Sequence, residues 1–277
     1  MKKLIQCRPV KFILDIAQVF LDRRGSRSAA ELAYFLVLSL FPLLIMVNAI
    51  VGMLHLDVEK LLQVLESVMP VQAAAVVGDY VTYISGNQSG ALFWGGLIMT
   101  LTSSSAAFRA LMNITSEIYR KPAFPGLWTI LASVVFSAAF LLIMYASIAV
   151  ILTGSWFFNT IKEFLHISAF PGSWTWMRYW LLCGVMFLFL ALFYRATAPR
   201  EKPHPPVLIG SALTALLLAA ASILFSWFIG QSSRYSLVYG SLASVIILMI
   251  WLYLCGNVLI LGAVFNYVLY ARRKERA

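Results

Sequence analysis

The residues of this chain that could do chemistry are few, and they stand at the ends of long apolar runs. Ionisable side chains flank such runs at Glu31, Arg109, Arg178, Arg195 and Arg234. A charge held in or beside hydrocarbon is costly unless it is paired or used, so each position points to an anchor at the interface, an ion pair or a charged ligand. Glu31 and Arg109 have the signs to pair across a helix bundle. Asn113, Tyr119 and Arg120 follow Arg109 and set an amide, a phenol and a cation on one boundary, where a phosphate or carboxylate would find donors. Arg234, Tyr235 and Tyr239 form a similar group elsewhere. Asn48, Asn257 and Asn266 fall inside apolar runs, where hydrogen bonding between helices is the expected use.

No catalytic residues emerge. Ser103, Ser104 and Ser105 have no neighbouring His or Lys to activate a hydroxyl, no glycine-rich phosphate loop leads into a Lys-Ser pair, and paired carboxylates are missing. His55, His166 and His204 lie in separate loops, and the spacing of Cys7, Cys183 and Cys255 suits neither a disulfide framework nor a zinc site. The expectation is therefore no metal, no cofactor and no enzyme. ATP-driven work would need a separate subunit.

The elements that position these residues follow from composition. Hydrophobic residues make up 61% of the 277 and charged residues 12%. A water-soluble domain carries roughly 25% charge, so most of this chain must fold against lipid. The run from Leu237 to Tyr270 contains no charge or histidine; a helix needs only about 20 such residues to cross a bilayer. Ser241, Ser244, Leu248, Leu252, Cys255, Leu259, Gly262 and Asn266 recur along it at helical spacing, a mostly narrow stripe that admits a neighbouring helix.

Taken in order, the apolar runs predict an all-α, polytopic membrane protein. Its six spans fall at about 32–54, 91–111, 127–152, 179–195, 207–229 and 239–269. Pro42 lies within the first and predicts a kink, with Ser39 placed to serve the loosened backbone. A basic segment over 1–28 carries an amphipathic helix, in which Phe12, Ile13, Ile16, Val19 and Phe20 oppose Lys11, Asp15, Gln18 and Asp22. It suits either the membrane surface or a brace against other helices. Further amphipathic helices are expected over 57–85, outside the lipid core. The membrane domain covers 29–270, and a basic tail follows over 271–277.

Charge placement sets the orientation. Lys60, Lys162, Arg178 and Arg234 are all that one side of this topology holds of the 21 Lys and Arg; the rest fall on the side of both termini. The bias puts the N and C termini in the cytoplasm. It also accounts for the net charge of +10 without nucleic acid, since anionic headgroups suffice. The expected partners are membrane lipids and an anionic or lipid-linked substrate, with a homo-oligomer allowed.

Two stretches resemble the YihY/BrkB family of bacterial inner-membrane proteins. One is Ala29-Ala30-Glu31-Leu32-Ala33-Tyr34-Phe35 followed by Leu38 to Leu44 with Pro42. The other is Tyr239-Gly240-Ser241-Leu242-Ala243, then Ile250-Trp251-Leu252-Tyr253, then Gly262-Ala263 with Asn266. The resemblance implies a polytopic membrane protein without an agreed activity, and it brings older labels of ribonuclease and virulence factor. The scattered histidines argue against the ribonuclease label, because metal-dependent nucleases cluster His and Asp. The family commonly has an acidic residue after the Gly-Ala pair, and here Val264 stands there. Glu31 lies where many members are apolar, which raises the question of spatial replacement. The functional expectation is a transporter or flippase-like carrier of an amphiphilic or anionic substrate, with a non-transporting envelope scaffold as the alternative.

Overall fold

The computed structural model describes residues 8–54, 90–122, 124–165, 174–199, 204–230 and 242–275, and every regular element among them is a helix. In chain order they are α1 (Arg8–Asp22), α2 (Gly25–Leu54), α3 (Gly90–Tyr119), α4 (Leu127–Leu165), α5 (Trp174–Thr197), α6 (Val207–Gly230) and α7 (Leu242–Lys274). The amphipathic segment expected over 57–85 lies outside the described residues. Most helices extend beyond the expected spans at one or both ends. The short uncharged run after Arg178 is one such case, since α5 extends beyond both Arg178 and Arg195.

Among the described residues, five helices are long and apolar enough to cross a membrane: α2, α4, α5, α6 and α7. The remaining long helix, α3, is diluted by its threonines, serines and Arg109. The outer surface agrees with a lipid solvent. Leu142, Trp180, Leu216 and Ile223 are each at least 70% exposed, a distribution that water would penalise at about 25 cal/mol per Å² of apolar area. The chain is a polytopic, all-α membrane protein.

Packing sets α7 against α1, α2, α3 and α6, and α3 against α2, α4, α5 and α7. Phe225 and Ile229 at the end of α6 meet Ile247 near the start of α7, while Gly210 near the start of α6 meets Asn266 near the end of α7. The pair is therefore antiparallel. Tyr119 at the end of α3 stacks edge-on against Tyr267 of α7. Phe108, Phe136, Phe140, Phe189 and Phe193 join α3, α4 and α5 in one aromatic cluster, with ring centroids 5.2 Å apart at the closest pair. Each such ring pair contributes about 0.5–1.5 kcal/mol beyond area burial.

Pro42 lies inside α2 without ending it. Ser39 donates to the Leu36 carbonyl at 2.8 Å, so it does not serve the Leu38 carbonyl that Pro42 leaves without a donor.

The amphipathic α1 braces against the other helices. Phe12, Ile16, Val19 and Phe20 pack on the core, while Ile13, Leu14 and Leu21 remain exposed. Phe12 meets Phe265 edge-on, and Arg272 lies 4.8 Å from the Phe12 ring centre while donating to Asp15 at 2.7 Å. Arg272→Ala removes a partly exposed ion pair and a cation–π contact, together worth about 1 kcal/mol. Trypsin cleavage at Lys11 in intact protein is expected to quicken about fivefold; an unchanged rate would show that the contact does not hold α1 down.

Candidate functional site

Between α3 and α4 runs a seam of buried hydroxyls. Thr100, Ser104 and Ser105 of α3 and Ser133 and Ser137 of α4 are all nearly or wholly enclosed. Small side chains let the two helices approach, and a hydroxyl in an apolar helix can return its proton to the preceding turn. That happens here: Thr100 donates to Gly96, Ser104 to Thr100, Ser105 to Thr102 and Ser133 to Ile130. Ser104 and Ser137 hydrogen bond to each other across the interface.

With those protons committed to carbonyls, the oxygen lone pairs of Ser105 and Ser133 are free to accept. Arg109 uses them, its Nη1 donating to Ser105 Oγ at 3.0 Å and to Ser133 Oγ at 3.5 Å. A guanidinium has five N–H donors in a planar fork, and this geometry occupies one nitrogen. Arg109 is half-buried and forms no ion pair with a described residue. The seam therefore holds a positive charge on neutral oxygens and leaves donors to spare for an anion.

The other sequence candidates separate. Glu31 is exposed on α2 and does not pair with Arg109, which corrects the expectation of an ion pair across the bundle. Val264, at the position where the family commonly has an acidic residue, is fully enclosed in the core. Asn113 is exposed on α3. Tyr119 is buried against Tyr267 and Tyr270. Beyond the expected end of its span, burial raises its phenol above the ordinary range, and nearby Tyr194, Tyr270 and Tyr267 add to the rise, so it is neutral at physiological pH. Arg120 is exposed at the end of α3. Arg234, Tyr235 and Tyr239 lie outside the described residues.

The amides also depart from expectation. Asn257 donates to Tyr253 within its own helix at 2.7 Å. Asn266 is completely enclosed against Gly210, yet neither its Oδ1 nor its Nδ2 has a hydrogen-bond partner, so it makes no bond between helices. One turn away lies a contact that sequence reasoning missed. Tyr194 donates to the Leu259 carbonyl at 2.7 Å and approaches Thr214 Oγ1 at 3.4 Å, tying α5, α6 and α7 together. A tyrosine beside Arg195 looks like part of an interfacial belt, and nothing in its spacing marks it as buried.

Among the described residues, no three His, Cys, Asp or Glu side chains group to hold a metal. These helices, with a charged seam inside a lipid-facing bundle, define a multi-pass α-helical membrane protein. The chain belongs to the virulence factor BrkB family, whose model matches residues 16–277. Over 267 residues it is 26% identical to a protein of Bacillus subtilis named as ribonuclease-like protein YfkH, with 96% of this chain and 97% of that one covered. It is 28% identical over 285 residues to a UPF0761 membrane protein of Alkalilimnicola ehrlichii, covering 97% of this chain and 60% of the relative. A UPF0761 membrane protein of Pseudomonas aeruginosa is 26% identical over 269 residues, with 92% and 62% covered. The chain thus spans less than two thirds of the length of these last two. No solved structure matches it. These relatives agree with a multi-pass bacterial membrane protein.

Proposed function

We propose that this protein carries an anionic amphiphile across or within the bacterial inner membrane, with Arg109 and the hydroxyl seam receiving the anionic group. The observation behind this reading is a half-buried guanidinium whose described partners are two neutral serines. Such a group gains most from a phosphate or carboxylate, because hydrogen bonds between charged partners are roughly twice as strong as neutral ones. In this reading α3 crosses as the sixth span, its polar face being covered by α2 and α4. The face bearing α1, Arg120 and the end of α7 is cytoplasmic, as the bias of Lys and Arg supports.

The scaffold alternative rests on small-residue faces open to other proteins. Gly210, Gly256 and Gly262 instead face neighbours within the chain, at Asn266, Ala29 and Thr214 respectively, so that reading has less support. The ribonuclease-like name of the Bacillus relative is likewise not carried over, for want of a metal-holding cluster among the described residues.

The test is transfer of a fluorescent phospholipid bearing a net negative headgroup between leaflets of liposomes containing purified protein. Arg109→Gln is expected to slow transfer about tenfold, equivalent to roughly 1.4 kcal/mol. Arg109→Lys, which keeps the charge but not the fork, should fall between. Equal rates for wild type and Arg109→Gln, with both correctly folded, would end this reading.

A further inference from the structure

At the face that gathers α1 and the ends of α3 and α7 lies a cleft of about 300 Å³, lined by Val19, Asp22, Arg23, Arg120 and Tyr267. That volume is at the lower end for small-molecule sites and suits a headgroup rather than a whole lipid. Its lining carries both signs of charge, yet Asp22, Arg23 and Arg120 form no ion pair with any described residue. Opposite charges sharing a cleft without pairing leave each sign available to a visitor.

The backbone adds an independent observation. Arg120 has φ of 55°, in the left-handed region that favours glycine. It occupies the position after α3 where a helix commonly ends in glycine, and Lys121 N donates back to the Ser116 carbonyl at 3.1 Å to close that turn. Backbone conformation alone would select glycine here. The arginine instead supplies a guanidinium to the cleft.

A simple anion entering this cleft would meet the Asp22 carboxylate, and a simple cation would meet two guanidinium groups. A ligand bearing phosphate at one end and ammonium at the other satisfies all three. Elsewhere on its surface α1 leaves Ile13, Leu14 and Leu21 exposed, an apolar surface fit for the headgroup layer. We propose that this cleft binds a phospho-ammonium group of the phosphoethanolamine type, its phosphate held by Arg23 and Arg120, its ammonium by Asp22, with the Tyr267 hydroxyl as an added donor. Binding here is separate from the carrier reading and stands or falls without any transfer taking place.

The experiment is calorimetric titration of full-length protein in a neutral detergent with short-chain phosphatidylethanolamine, short-chain phosphatidylglycerol and soluble phosphoethanolamine. Phosphatidylethanolamine is expected to bind about tenfold more tightly than phosphatidylglycerol, the worth of one charged pair. Asp22→Asn should abolish that preference. Arg120→Gly should weaken phosphatidylethanolamine binding about tenfold while leaving thermal unfolding unchanged or raised, because glycine relaxes the left-handed residue. Soluble phosphoethanolamine matching the lipid would identify a free metabolite as the source, and much weaker binding would identify the bilayer; both support the site. Equal affinity for the two lipids, a preference that survives Asp22→Asn, or no binding at all overturns it.

Discussion

Gly262→Leu is expected to destabilise the bundle by about 3 kcal/mol or more, the upper range for forcing extra atoms into a packed core. A single Cβ at this position would already collide with Thr214 Oγ1 and come within 2.6 Å of the Tyr194 hydroxyl. Those two groups cannot both withdraw cheaply. Thr214 is bonded to Gly210 of its own helix, and Tyr194 is committed to the Leu259 carbonyl. The substitution must therefore separate α6 from α7 or break the tie from α5. Gly184→Ala is the control, since nothing lies within 4 Å of the Cβ it would add. There the better helix propensity of alanine should give a gain of up to about 1 kcal/mol. Unfolding in mixed micelles measures both, and a Gly262→Leu protein as stable as wild type would mean that the seam between α6 and α7 is not tight.

The second large effect has the opposite sign. Asn266→Ala should stabilise the protein by about 2 kcal/mol, because each unpaired buried polar atom costs about 1–3 kcal/mol. The small cavity left behind takes back roughly 1 kcal/mol. Asn266 is fully enclosed, both its polar atoms lack partners, and it crowds Gly210. Alanine relieves all three conditions. A polar group kept at such a cost is the mark of a working position, so under the carrier reading proposed above transfer is expected to fall as stability rises. A loss of stability on the same substitution would show instead that the amide has a partner within the core.

The helices could be read from the chain because apolar run length is a local property. Runs from Leu127 and from Val207 begin where α4 and α6 begin, since proline and charge end the preceding segments at those points. The last apolar run was legible as a helix that packs against several neighbours for the same reason, its narrow residues being visible at helical spacing. Pairing is not local. Glu31 and Arg109 have opposite signs, yet helix rotation leaves one exposed and turns the other into a serine seam. The serines at 103–105 stood out, whereas Ser133 and Ser137 did not. Their i, i+4 spacing within an otherwise apolar run was the available signal, and it gained meaning only once α3 and α4 were adjacent. Arg120 could be seen as a boundary cation, but its left-handed backbone appears only in three dimensions.

The headgroup cleft draws its walls from the earliest helix described and the latest, with Asp22 and Arg23 from one end of the chain and Tyr267 from the other. During synthesis α1 leaves the ribosome well before α7, so the two walls are made at different times. Whatever the cleft holds therefore requires α1 and α7 to have come together, so occupancy reports that this docking has taken place.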